Sequence, residues 1–126
     1  MTDRELDVQI AEQILAIKKI FQPRDYKRAD DALWGADEYS FIPSGKSPRT
    51  HMIDAKPVPY FSSDISCAMQ VEDRIAELEL QGLYVRELNK AVGTSRAVTQ
   101  FELIHATPRE RCLAALAASK KGKVEN

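Results

Sequence analysis

Ser62, Ser63 and Asp64 stand just before an apolar periodic stretch. Hydroxyls and a carboxylate in that position can do one of two jobs. They can cap a helix, accepting from its first free amides and setting negative charge against the positive end of its dipole. Alternatively, the free amides can themselves take an anion, a phosphate above all. Asp64 favours capping, because it brings negative charge to the place a phosphate would occupy. Ser44, Gly45, Lys46, Ser47, Pro48 and Arg49 look in part like a phosphate loop. The full pattern needs an earlier glycine, a preceding strand and a following helix. Ser40 stands where that glycine belongs, and Pro48 follows at once. The segment therefore reads as a flexible basic loop whose Lys46, Arg49 and His51 can contact phosphates without catalysis. Trp34, Tyr39, Phe41 and Tyr60 can stack on a base or ring, or can pin an irregular segment onto a core. With Arg24, Lys27, Arg28, Lys46 and Arg49 they form the best binding surface in the chain. The candidate ligand-binding set is Trp34, Tyr39, Lys46, Arg49, His51, Tyr60, Ser62 and Ser63.

Catalytic groups are harder to assemble. His51 and His105 lie far apart in sequence, with no Cys or Glu paired to either at ligand spacing, so no metal site is expected. His105 with Cys112 would suggest a base and a nucleophile. Cys112 belongs to an apolar stretch, however, and packing is the simpler role. An enzyme would need a clustered acid–base pair, and none is found. No catalytic residue and no cofactor is assigned.

The elements that position these residues follow from length and pattern. The chain has 126 residues, 44% of them hydrophobic and 29% charged. That suits one domain with a core that needs neither disulfide nor metal. Its 18 basic and 19 acidic residues give a net charge of -1. Such a balance offers no global field to a nucleic-acid polymer or an anionic lipid. No apolar run reaches the ~18 residues of a membrane span. The first residues lack a signal peptide's apolar core. Cys67 and Cys112 suit a reducing compartment better than a disulfide scaffold. Together these features point to the cytoplasm.

A first helix is expected over 3–21, from Leu6, Ile10, Ile14, Ile17 and Phe21 at helical spacing, with Thr2 or Asp3 as its cap and Pro23 as its stop. Residues 22–61 hold five of the six prolines and lose apolar periodicity. They read as an ordered irregular excursion, with short strands at 39–43 and near 51–54. A second helix is expected over 62–81, capped by Ser62 or Ser63 and ended by Gly82. Alternation at 83–89 and 97–105, around turn formers Gly93, Thr94 and Ser95, predicts a hairpin. Thr107 and Pro108 open a last helix, with Cys112, Leu113, Leu116 and Ala117 inward. The resulting fold class is α+β: a small antiparallel sheet packed with about three helices, a layered α/β sandwich. The domain spans 1–119, and 120–126 form a basic flexible tail.

The run Pro59, Tyr60, Phe61, Ser62, Ser63, Asp64, Ile65 and Ala68 resembles the signature of the phage ABA sandwich domain family. That family shows a proline, then Tyr-Ser-Thr-Asp-Ile opening a helix, then an alanine and an aromatic. Here Phe61 stands for the tyrosine, Ser63 for the threonine and Met69 for the aromatic. Thr107, Pro108, Cys112, Ala114, Ala115 and Leu116 are similar to its closing helix, and Leu6, Ala11, Glu12 and Ile14 to its opening one. The resemblance implies a layered α/β fold, a phage or prophage origin and no assigned catalysis. With the basic, aromatic middle of the chain, it implies an anti-defence accessory protein. Such a protein would bind a small anionic ligand, such as a host-defence nucleotide signal, and sequester it without turnover, at a homo-oligomer interface. The alternative is a protein–protein interaction module, which calls for an exposed apolar patch instead of a concave basic pocket.

Overall fold

The structure, a computed structural model, describes residues 1–26, 38–93 and 99–125. Within them the chain is dominated by helices. α1 (Asp3–Gln13) begins where Thr2 Oγ1 accepts from the Glu5 amide at 3.1 Å, and it buries Leu6, Ile10 and Ala11. The helix expected to reach residue 21 stops at Gln13. Ala16 and Lys19 adopt positive φ, which bends the chain away from the helix axis. That bend brings Phe21 against Ser40, where their backbones exchange hydrogen bonds of 2.9 and 2.7 Å.

Residues 38–62 then run along the helices. β1 (Ser40–Phe41) pairs antiparallel with β2 (Lys56–Pro57), which makes a two-residue ladder. Between them lie α2 (Pro48–His51) and a 3-10 turn (Met52–Asp54). The strand expected at 39–43 is thus reduced to two residues. The one expected near 51–54 is helical there, and pairing occurs at Lys56 instead. Val58 and Phe61, fully buried, seat the segment in the main core beside Leu6 and Ile10.

α3 (Ile65–Glu77) is capped by Asp64, not by Ser62 or Ser63. The Asp64 carboxylate accepts from the Ser66 and Cys67 amides at 2.8 and 3.4 Å. The inward residues of α3 are Ala68, Val71 and Ile75. The helix ends at Glu77, Glu79 just beyond it takes the left-handed conformation at φ 58, and Gly82 falls inside the next helix. α4 (Gln81–Gly93), α5 (Gln100–Ile104) and α6 (Pro108–Glu125) complete the chain. α6 packs against α4, α3 and α1 in turn. Its buried Cys112, Ala114, Ala115, Leu116 and Ala118 are mostly small, which lets three helices close around it. Of the residues expected inward, Leu113 is exposed. At Gly122 a Cβ would come within 2.7 Å of Leu80 Cδ2, so glycine permits that contact with the start of α4.

The expected α+β sandwich is therefore overturned. Among the described residues no hairpin forms at 83–89 and 97–105; the expected turn residues Thr94 and Ser95, with positions 97 and 98, lie outside them. Residues 83–89 belong to α4, and 100–104 form α5. The period was the deciding feature. Tyr84 and Leu88 are buried four apart, with Leu80 and Val92 packed at the same spacing on either side. That series is helical, and the two-residue alternation inside it is a short-window coincidence. At α5, Thr99 Oγ1 accepts from the Glu102 amide at 3.2 Å. Thr99 and Glu102 have the spacing of a capping box, a start signal that favours helix over strand.

Candidate functional site

Arg4 is the hub of the polar contacts between α1 and the 38–62 segment. Its guanidinium pairs with Asp7 at 2.7 Å and with Glu38, and donates to the Val58 carbonyl at 2.9 Å. Its Cζ lies 3.9 Å from the centre of the Tyr60 ring. Tyr60 in turn donates its hydroxyl to Glu38. That bond, with burial behind it, holds the Tyr60 phenol above its ordinary range. Asp7 has no exposure at all, and its other oxygen accepts from the Ser62 amide at 2.8 Å. The Ser62 hydroxyl donates to the Asp3 carbonyl at 3.1 Å. Two carboxylates thus already neutralise Arg4, so the hub presents no spare positive charge to a phosphate.

The candidate ligand-binding residues divide accordingly. Tyr60 and Ser62 meet at the Arg4 hub, and Ser63 lies beside them with its amide donating to the Tyr60 carbonyl at 3.2 Å. Tyr39 is half-buried and packs on the main core. Lys46, Arg49 and His51 stay together on a separate stretch, at and beside α2, with Thr50 Oγ1 2.7 Å from His51 Nδ1. A shallow hollow of about 430 Å³ opens nearby, lined by Pro43, Ser44, Ile53, Asp54, Ala55 and Lys56. Trp34, Lys27 and Arg28 lie outside the described residues. Arg4, Asp7 and Glu38 escaped the sequence reading. One signal was available, since Asp7 falls on the apolar stripe that continues through Ile10, Ala11 and Ile14. A charge in phase with such a stripe asks for a buried partner.

A second ion pair lies at the meeting of four helices. Arg111 of α6 meets both carboxylate oxygens of Glu72 on α3, at 3.0 and 2.9 Å. It also donates to the Ile104 carbonyl at 2.7 Å and the Ala106 carbonyl at 3.0 Å, which ties α5 to the rest. Tyr84 of α4 donates to Glu72, and burial, followed by that bond, raises its phenol far above the usual range. Beside this junction the surface is apolar. Ile65 and Met69 on α3 are 46% and 55% exposed, and Phe101 and Ile104 on α5 are both 69% exposed. Met69 lies three residues from Glu72, and Ile104 is the residue whose carbonyl Arg111 holds.

Nucleophilic chemistry finds no support in the cysteines. Burial pushes the Cys112 thiol up to about 12, and the half-buried Cys67 is raised for the same first reason. Neither supplies thiolate near neutrality. His105 stacks on Phe101 with ring centroids 4.1 Å apart, and its Nδ1 lies 2.8 Å from the Phe101 carbonyl. Among the described residues no group of three or more His, Cys, Asp or Glu is placed to hold a metal ion. No helix among them is long and apolar enough to cross a membrane. The resemblance to phage sandwich domains rests on its motifs alone: no family model matches the chain, and neither a curated protein nor a solved structure does.

Proposed function

We propose that the protein is a non-catalytic interaction module that docks a protein partner through α5 and the outer flank of α3. The observation that carries this reading is α5 itself, which buries none of its residues and holds Phe101 and Ile104 out to solvent. Exposed apolar area costs about 25 cal/mol per Å² relative to burial. A helix that bares two large apolar side chains recovers that cost on docking. Arg111 keeps the face in place by holding the end of α5 onto Glu72. Sequestration of a small anionic ligand has less support, because Arg4 is already paired with Asp7 and Glu38. The cytoplasm is the proposed setting, and the two free cysteines favour it.

Two measurements test the reading together. A photo-crosslinking amino acid placed at position 101 should give a discrete protein adduct in the source cell. Ile104→Asp should abolish that adduct. A thermal-shift screen against mono-, di- and cyclic nucleotides should stay flat. A shift of several degrees that Arg49→Ala removes, with no adduct at position 101, would overturn docking in favour of a nucleotide ligand.

A further inference from the structure

We infer that the end of the molecule built from residues 14–26 and 40–57 binds an anionic lipid surface, with Ile53 entering the headgroup layer and lysines meeting the phosphates around it. The whole-chain balance conceals how charge is distributed. These two stretches carry six Lys or Arg against Asp25 and Asp54, a net +4 in a chain whose total is -1. The fold brings them together. The backbones of Phe21 and Ser40 are bonded to each other, and Lys19 Nζ donates to the Gly45 carbonyl at 3.1 Å. Lys18 lines a hollow of about 330 Å³ with Phe41 and Gly45. Lys56 lines the hollow of about 430 Å³ with Ile53 and Asp54. Pro43 and Ser44 belong to both hollows, so the two adjoin, and Lys46 follows Ser44 two residues on.

The lysines here are unmatched. Lys18, Lys19, Lys46 and Lys56 are all exposed. Among the described residues none of Lys18, Lys46 and Lys56 is paired with a carboxylate. On the helices, by contrast, Arg74 meets Glu77, Arg111 meets Glu72 and Lys121 meets Glu87. A lysine without an internal partner keeps its charge for an anionic surface, where each such residue strengthens binding by about fivefold. Ile53 decides which polyanion fits. It stands in the 3-10 turn Met52–Asp54 and is 95% exposed, beyond the 69% of Phe101 and Ile104. A nucleic-acid backbone gives such a side chain little to bury against. Proteins that grip single strands add exposed aromatic rings for the bases. The one aromatic lining either hollow is Phe41, which is half-buried. A bilayer offers both requirements together, phosphates for the lysines and acyl chains just beneath them for an apolar tip. Asp54 opposes the attraction from beside Ile53, so binding depends on several lysines acting at once. This surface shares no residue with α3 or α5 and is independent of the docking reading.

Cosedimentation of the full chain with vesicles tests the inference. The vesicles contain phosphatidylglycerol and phosphatidylcholine in equal parts, or phosphatidylcholine alone. The chain should pellet with the anionic vesicles only, and added salt should release it. Lys46→Gln and Lys56→Gln should each weaken partitioning by about fivefold. Ile53→Ser should weaken it by about tenfold, since the apolar tip is lost. Asp54→Asn should strengthen it, a direction that general damage to the fold does not produce. Val85→Ser, at an exposed position on α4, should leave it unchanged. A chain that stays in the supernatant with anionic vesicles overturns the inference, and so does equal binding to neutral ones. Binding to anionic vesicles that Ile53→Ser leaves untouched overturns it as well. If a DNA duplex then displaces those vesicles, the surface belongs to a nucleic-acid backbone instead.

Discussion

The inner side of α3 and its outer flank use similar residue types and meet opposite surroundings. Ala68, Val71 and Ile75 are at most 1% exposed, whereas Ile65 and Met69 on the same helix stand about half in water. Asp64 caps both sides alike, and the helical period separates them. The inner side gains from leaving water, at roughly 25 cal/mol per Å². The outer flank forgoes that gain in the single chain. Stability should therefore depend on the inner side and its neighbours, and association on the flank. The comparison breaks if substitutions on the two sides have similar effects.

The largest loss is expected inside, at Asp7. Asp7→Ala removes a fully buried carboxylate, which leaves Arg4 short of one partner and the Ser62 amide without an acceptor. Breaking a buried pair costs about 3–5 kcal/mol. Arg4 keeps Glu38, which places the effect near the lower end, and urea unfolding should read it. Ile75→Ala, on the inner side of α3, should cost about 2–5 kcal/mol by the same measurement, since it opens a cavity among packed side chains. Asp64→Ala is a change that both sides of α3 should feel, because the cap serves the whole helix. Its cost should be about 1 kcal/mol.

Acid offers a test that touches neither side of α3. Glu87 on α4 is paired with Lys121 and Lys90, and the Lys121 bond, ahead of the others, lowers its carboxyl below the ordinary range. A lowered carboxyl stabilises the fold above its unfolded value, and that contribution disappears as pH falls through the lowered folded value. Melting temperatures between about pH 5 and pH 3 should therefore fall less steeply in Glu87→Gln than in the wild type. Equal slopes would remove Glu87 from the acid response.

The parts of the fold legible in the sequence are those where a cap and a period agree. Thr2 with Leu6 and Ile10 marked the start of α1, and Thr107 with Pro108 marked the start of α6. The stripe expected for the second helix, Ile65, Ala68, Val71 or Glu72, Ile75 and Leu78, keeps Ala68, Val71 and Ile75 inward but has Ile65 and Leu78 exposed. Four features are not legible in the sequence. Helix ends were misplaced because Ala16, Lys19 and Glu79 take positive φ without being glycine, a choice set by packing and not by residue type. The supposed hairpin arose because seven-residue windows fit a period of two nearly as well as 3.6. Only the longer series from Leu80 through Tyr84 and Leu88 to Val92 decides between them. The Arg4 hub was illegible for another reason. Its partners Glu38 and Val58 lie 34 and 54 residues away in the chain, and no local pattern couples them. The exposed pair on α5 is not legible either, because the alternation around Phe101 and Ile104 predicts a strand, whereas they lie on one short helix with both side chains in solvent.

The smallest expected effect on stability is the most informative one, and it belongs to the flank. Met69→Ser removes an exposed thioether from α3 and leaves Asp64, Val71 and Ile75 in place. Surface changes away from caps and cores usually stay within about 0.5 kcal/mol. The urea midpoint should therefore barely move. If the flank is a docking face, the same substitution should still weaken association, because it withdraws apolar area from the centre of the contact. A variant that folds as well as the wild type and associates less would separate the two sides of α3 in one experiment. If Met69→Ser instead destabilises the fold as much as Ile75→Ala does, the side chain is packed in solution. The flank is then part of the core, and the division between the two sides is lost.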